Sequence, residues 1–217
     1  MMLFNNLVTA SKQHFPYLKI KYKNKSILMK LLSFLFFFNK KFMTECLTTI
    51  GYTIYLPSEH YMKIKPVSGS VIFMHELVHL YDKRKLGILF TLGYMLPQIL
   101  IIPSLLLFLI SWKIAIPVII ILLTPLVPAY FRMIFEKRAY LSSIYVIQKL
   151  SIKLNFNPHL PSQIEHFLSQ FNNSYYYWMW HFNLEDEFEK AMREVENNKK
   201  PYNDEIFVLL DDLMAKM

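Results

Sequence analysis

Two long stretches of this sequence carry no charged side chain. Leu86 to Ile110 is 25 consecutive uncharged residues, and after Ser111, Trp112 and Lys113 there follow 18 more, Ile114 to Phe131. A helix crossing the hydrocarbon of a bilayer needs about 20 apolar residues. Each run is therefore long enough to span, and the three-residue link makes them a hairpin whose two ends return to one side. The competing expectation is a hairpin buried in a protein core. Pro97, Pro103, Pro117, Pro125 and Pro128 predict kinks within it. Lys83, Arg84, Lys85, Arg132, Lys137 and Arg138 flank the open side, and only Lys113 lies in the tight loop. Basic flanks mark the cytoplasmic face, so the expectation is a two-span, multi-pass membrane protein with the lipid bilayer as one partner and residues 1–85 and 132–217 on the cytoplasmic side. A third apolar run, Ile27 to Phe38, has only twelve residues and contains Lys30. It is too short to span and reads as an interfacial or core helix.

With 217 residues there is room for one domain and an insert, but not for a second enzyme domain. Hydrophobic content of 54% against 18% charged excludes a disordered chain. Cys46 is the single cysteine, so neither an intramolecular disulfide nor a multi-cysteine metal site is available, and any metal must be held by His, Asp or Glu. The net charge of +8 is segregated: residues 1–65 hold ten lysines against Glu45 and Glu59, and residues 183–217 hold ten acids against five bases. Lys19, Lys21, Lys23 and Lys25 carry no nucleic-acid recognition motif, so no nucleic-acid partner is expected and the run reads as solvation or contact with anionic lipid. The N-terminal residues lack the charged start, apolar run and small-residue cleavage site of a secretory signal.

Leu47 to Leu56 alternates Ile50, Tyr52, Ile54 and Leu56 with Thr49, Gly51, Thr53 and Tyr55 before Pro57 stops it, which predicts a strand over 47–56. Ser68, Gly69 and Ser70 offer a start for a helix over 70–84. Apolar spacing predicts a second helix from Arg132 to Leu150, and Ser162 to Glu165 resembles a capping box opening a short helix to Phe171. Leu184 to Glu196 and Asp204 to Met214 are also expected to be helical. The class is mostly α with a small β element, α+β.

Within the first of these helices lies His75-Glu76-Leu77-Val78-His79, an H-E-x-x-H sequence. Histidines at i and i+4 share a helix face and can hold one zinc ion, while the glutamate between them stands beside the metal and can take a proton from bound water. Zinc lowers the pKa of that water to about 7, which makes hydroxide available for attack on a peptide carbonyl. A catalytic zinc takes a third protein ligand. The H-E-x-x-H-x-x-G-x-x-H pattern fails, because Asp82 and Lys85 stand where Gly and His are required. Between residues 60 and 164 the only carboxylates are Glu76, Asp82 and Glu136. Asp82 is three residues past His79 on the same helix and badly placed to close a tetrahedron. Glu136 lies just past the hairpin, which returns the chain to the face it left. A solvated or arginine-paired helix glutamate is the alternative role for it.

The order of strand, HELVH helix, apolar hairpin and Glu136-Lys-Arg-Ala139-Tyr140 resembles the gluzincin metallopeptidases of the membrane-embedded heat-shock and CAAX prenyl protease class, over roughly residues 47–150. It is similar, too, to small phage-encoded proteins with an HELVH, hairpin and E-x-R-x-Y layout. The resemblance implies Zn2+ on His75, His79 and Glu136, with Glu76 as the general base. Tyr140 stands where the family has an aspartate that orients a zinc ligand, so a second-shell or oxyanion role and plain core packing both remain open for it. His159, His166 and His181 are candidates for the downstream oxyanion histidine of many gluzincins, or are surface or packed residues. The aromatic cluster Tyr175 to Phe182 fits a membrane-interface belt or a packing role.

The fold this implies is a minimal zincin-like catalytic domain interrupted by a transmembrane helical hairpin. Residues 1–85 form its N-terminal half, 86–131 the hairpin, and 132–217 the third-ligand helix and a C-terminal helical region. The expected function is a membrane-anchored zinc endopeptidase whose substrate is a peptide or protein, membrane-proximal on this view, lying along an edge strand at 47–56. The competing class is a non-enzymatic membrane hairpin protein, of hole-forming or scaffold type, with an incidental or inactive H-E-x-x-H.

Overall fold

The computed structural model describes residues 2–35, 42–96, 98–123, 129–171, 179 and 183–217. Two long helices form its centre, α4 (Pro66–Leu86) and α8 (Tyr130–Leu154), and they share the most extensive contact between any two described elements. Pro66 opens α4 at a position whose N–H would have no intrahelical partner in any case. Phe73, Met74, Leu77, Val78 and Leu80 are all buried, so α4 is enclosed on several sides and is not a surface helix with one apolar stripe. Around this pair stand α1 (Met2–His14), α3 (Glu59–Ile64), α5 (Ile88–Met95), α9 (Leu160–Phe171), α10 (Leu184–Glu196) and α11 (Ile206–Lys216). In α10 the buried Leu184, Phe188, Ala191 and Val195 recur at helical spacing. Its acids face water, and Glu185, Asp186 and Glu187 complement the positive end of the helix dipole.

A three-stranded sheet lies beside α4, in the order β1 (Lys19–Tyr22), β3 (Thr53–Leu56), β2 (Thr48–Ile50). β1 runs parallel to β3 with Ile20 opposite Ile54, and β2 runs antiparallel to β3 with Thr49 opposite Ile54. The single strand expected over 47–56 is therefore a hairpin. Gly51, at φ +64°, turns the chain in the left-handed region open to glycine, and the alternation on either side of it belongs to two strands. Ser58 caps α3 by accepting a hydrogen bond from the Tyr61 N–H. α2 (Ile27–Leu35) buries Met29 and leaves Ile27, Leu31 and Phe34 exposed, while residues 36–38 of that apolar run lie outside the described residues.

The expected transmembrane hairpin over 86–131 is not formed. Among the described residues no helix is long and apolar enough to cross a membrane. After α4 the stretch breaks into α5, a 3-10 turn at Gln98–Leu100, the four-residue α6 (Ile101–Ser104), a 3-10 stretch at Leu105–Leu109, and α7 (Trp112–Leu123). Leu96 leaves the helical region, with φ −72° and ψ 144°, as the residue before a proline is pressed to do. At 12 residues α7 is the longest of these helices, about 18 Å at 1.5 Å per residue, against about 30 Å of hydrocarbon. An absence of charge counts residues and not helical continuity, and the described part of this stretch is divided into short elements. The two-span localisation, and the cytoplasmic orientation derived from it, fall with the hairpin. Pro103 and Pro117 lie within α6 and α7, whereas Pro97, Pro125 and Pro128 lie outside the described residues.

Packing between α4 and its neighbours should dominate stability. Leu77 is completely buried in the main core. Leu77→Ala is expected to cost about 2–5 kcal/mol through lost burial and a residual cavity. Urea denaturation measures this, and a cost below about 1 kcal/mol would contradict the packing described.

Candidate metal centre

The fourfold spacing of His75 and His79 places both imidazoles on the face of α4 that meets α8. Glu136, Tyr140 and Ser143 stand one above another on the facing side of α8, at i, i+4 and i+7. Oε2 of Glu136 is 3.2 Å from Nε2 of His75, and Oε1 is 3.6 Å from Nε2 of His79. Across the three residues, one ligand atom from each lies within 4.8 Å of the others, close enough to hold a metal ion. All three are buried, and Glu136 is only 1% exposed.

The donor set fits a cation. Ser143 Oγ donates its single hydrogen to the Ala139 carbonyl at 2.9 Å, so toward His75 Nδ1, 3.3 Å away, it acts as acceptor. His75 therefore carries its hydrogen on Nδ1, which leaves Nε2 a lone pair aimed at a carboxylate oxygen 3.2 Å away. Two electron-pair donors at that distance need a proton or a metal ion between them. Among the described residues neither buried ring nitrogen of His79 has a hydrogen-bond partner, and its 3.6 Å approach to Glu136 is an ion-pair separation, longer than a hydrogen bond. Buried polar atoms without partners are uncommon and call for an explanation such as an ion.

The electrostatics of the three groups agree. Burial alone would raise the Glu136 carboxyl, but the positive charge of His79 beside it holds it well below the usual carboxylate range. Burial pulls His79 down, and the neighbouring Glu136 charge more than reverses this, leaving it above the ordinary imidazole value. His79 therefore holds its proton to higher pH than a free imidazole does.

Glu76 is half-buried and stands outside this trio. Its Oε2 accepts a hydrogen bond from Thr49 Oγ1 at 2.5 Å, which ties it to edge strand β2. Tyr140 sets its ring edge-on to His75, with centroids 4.6 Å apart, and also meets Phe167 and Phe171. It thus forms one wall of the His75 position, while His75 Nδ1 donates its hydrogen bond to Ser143 Oγ. Asp82 is engaged elsewhere, paired with Arg138, whose guanidinium also reaches both oxygens of Asp204 at 2.8 and 2.9 Å. His159 and His166 are exposed, and His181 and most of the 175–182 aromatic cluster lie outside the described residues.

Several residues of the centre carry no motif. Thr49 sits in a strand where its hydroxyl has no sequence signature. Ser143 had a faint signal as a polar residue two turns past Glu136 on an otherwise apolar face. Tyr94, on α5, donates its hydroxyl to Glu136 Oε1 from inside a run whose lack of charge suggested lipid contact. Comparison of the chain with family models, with curated proteins and with solved structures finds no match.

Linkage fixes a pH signature for the metal-free protein. The lowered Glu136 contributes stability above its unfolded value of about 4.3, lost as pH falls through the folded value, and the raised His79 contributes stability below about 6.5, lost as pH rises through its folded value. Unfolding free energy of the metal-free chain, from denaturant titrations across pH, should peak between these limits. Metal affinity should climb on the alkaline side as His79 loses its proton. Metal affinity unchanged across that range would contradict this electrostatic arrangement.

Proposed function

We propose that this chain is a zinc-dependent metallopeptidase, with zinc held by His75, His79 and Glu136 and with Glu76 as general base. The observation that carries this is the convergence of two imidazoles and one carboxylate on a single buried point, from two helices whose residues are 61 positions apart in sequence. Two neutral imidazoles and a carboxylate are a zinc donor set, and the His2Glu count leaves one coordination position open. Zinc bound there supplies a polarised water and a Lewis acid for the scissile carbonyl.

The remaining work falls to the chain's own side chains. Glu76 directly follows a ligand on α4, and Thr49 fixes its carboxylate by occupying Oε2. Oε1 is then the oxygen that takes the proton from the attacking water and delivers it to the leaving amine. β2 is an outer strand of the sheet and lies against α4. Its outer edge, unpaired among the described residues, suits an extended peptide added as a further strand, which would bring a backbone amide alongside Thr49 and Glu76. This supports a peptide over other hydrolysable substrates.

Glu76→Gln separates the two roles. The variant should retain one zinc per chain while hydrolysis of casein, or autolysis, falls by about 100-fold or more, the size of a general acid–base contribution. Hydrolysis at the wild-type rate in this variant would remove Glu76 from the mechanism.

A further inference from the structure

A buried metal-ligand carboxylate has a second oxygen, and the free energy of the site depends on what that oxygen meets. In Glu136 one oxygen, Oε2, faces His75 at 3.2 Å, while Oε1, 3.6 Å from His79 Nε2, accepts the hydrogen bond from the Tyr94 hydroxyl. The phenol comes from the last turn of α5, and several contacts fix it there. Its ring packs edge-on to His79 and beside Phe90, each with centroids 5.6 Å apart. The guanidinium of Arg132 lies 5.0 Å from the ring centroid, and Arg132 Nε donates to the Tyr94 carbonyl at 2.9 Å. Arg132 and Glu136 are one turn apart on α8, so α8 holds the backbone of Tyr94 while Tyr94 holds a side chain of α8. Gly93, the residue before Tyr94, faces α8, where a Cβ would lie 3.4 Å from Phe131 Cβ and from Phe135 Cε2, at van der Waals contact.

We propose that Tyr94 is a positioning residue of the metal centre: its hydroxyl occupies Oε1 of Glu136 and so presents Oε2 alone to the ion, keeping the carboxylate monodentate and one coordination position open. This rests on the metal-binding role of the trio and extends it. Without the hydroxyl, Oε1 loses its donor in a buried site, and the carboxylate gains by turning both oxygens onto the metal. That raises the coordination number and crowds the open position. A residue acting through a ligand in this way changes metal affinity and geometry with no contact to substrate.

Tyr94→Phe keeps the ring, its packing on Phe90 and His79 and the Arg132 contact, and removes only the oxygen. The test uses the full chain, wild type and variant. It compares zinc affinity by competition with a chromophoric chelator, the visible spectrum of the Co2+-substituted protein, and thermal unfolding of the metal-free form. Tyr94→Phe should bind zinc about 10–100-fold more weakly, and its cobalt spectrum should shift from a four-coordinate to a five-coordinate form. The metal-free melting temperature reports separately on folding. If the wild type binds zinc and Tyr94→Phe matches it within twofold with a superimposable cobalt spectrum, the positioning role is overturned and the metal centre stands. Failure of the wild type itself to bind zinc or cobalt would overturn both.

Discussion

A carboxylate with 1% exposure sets the terms for the rest of this fold. Burying an ionised group costs several kcal/mol unless charge and hydrogen bonds replace its water. Glu136 obtains both from two histidines of another helix and one tyrosine of a third. The packing of α4 on α8 is thus more than an apolar contact, because register and rotation must bring residue 136 level with residues 75 and 79. A slip of one residue along α4 would put Met74 and Val78, or Glu76 and Leu80, in the places of the two imidazoles, and neither pair could compensate the carboxylate.

The polar groups around that point form two sets on α8. Glu136, Tyr140 and Ser143 face the histidines, while Arg138, two residues from Glu136, leaves on another side to pair with Asp82 at the far end of α4 and Asp204 just before α11. Arg138 therefore neutralises a buried acid about one turn past His79 on α4 and ties the C-terminal helix to the same pair of helices. Ser143 and Tyr94 complete the chemistry at the centre, one by fixing the tautomer of His75 and the other by occupying an oxygen of Glu136.

How much of this is legible in the sequence depends on the range of the interaction concerned. His75 and His79 are four residues apart, so helical geometry alone places them together. Glu136 follows from scarcity of acids and from a chain that must return, and the return is made even though the hairpin invoked to make it is replaced by short broken helices. That error has a plain physical source: an uncharged segment is apolar whether it meets lipid or protein, and an absence of charge does not report whether the backbone runs on as one helix. Gly51 likewise marked a turn inside a run whose alternation continued unbroken in register. Thr49, Tyr94 and Ser143 were illegible because each acts through a contact between elements far apart in sequence, and nothing local distinguishes them from neighbouring threonines, tyrosines and serines.

The most direct test of the central claim, a centre made by His75, His79 and Glu136, is X-ray absorption at the zinc edge of the zinc-loaded full chain. A His2Glu site predicts a first shell of nitrogen and oxygen only, at about 2.0–2.2 Å, with outer-shell scattering from two imidazoles. The same measurement on Glu136→Ala should lose a first-shell oxygen contribution or show no bound zinc. A wild-type spectrum with sulfur in the first shell, or with scattering from fewer than two imidazoles, would contradict it, as would a chain that takes up no zinc.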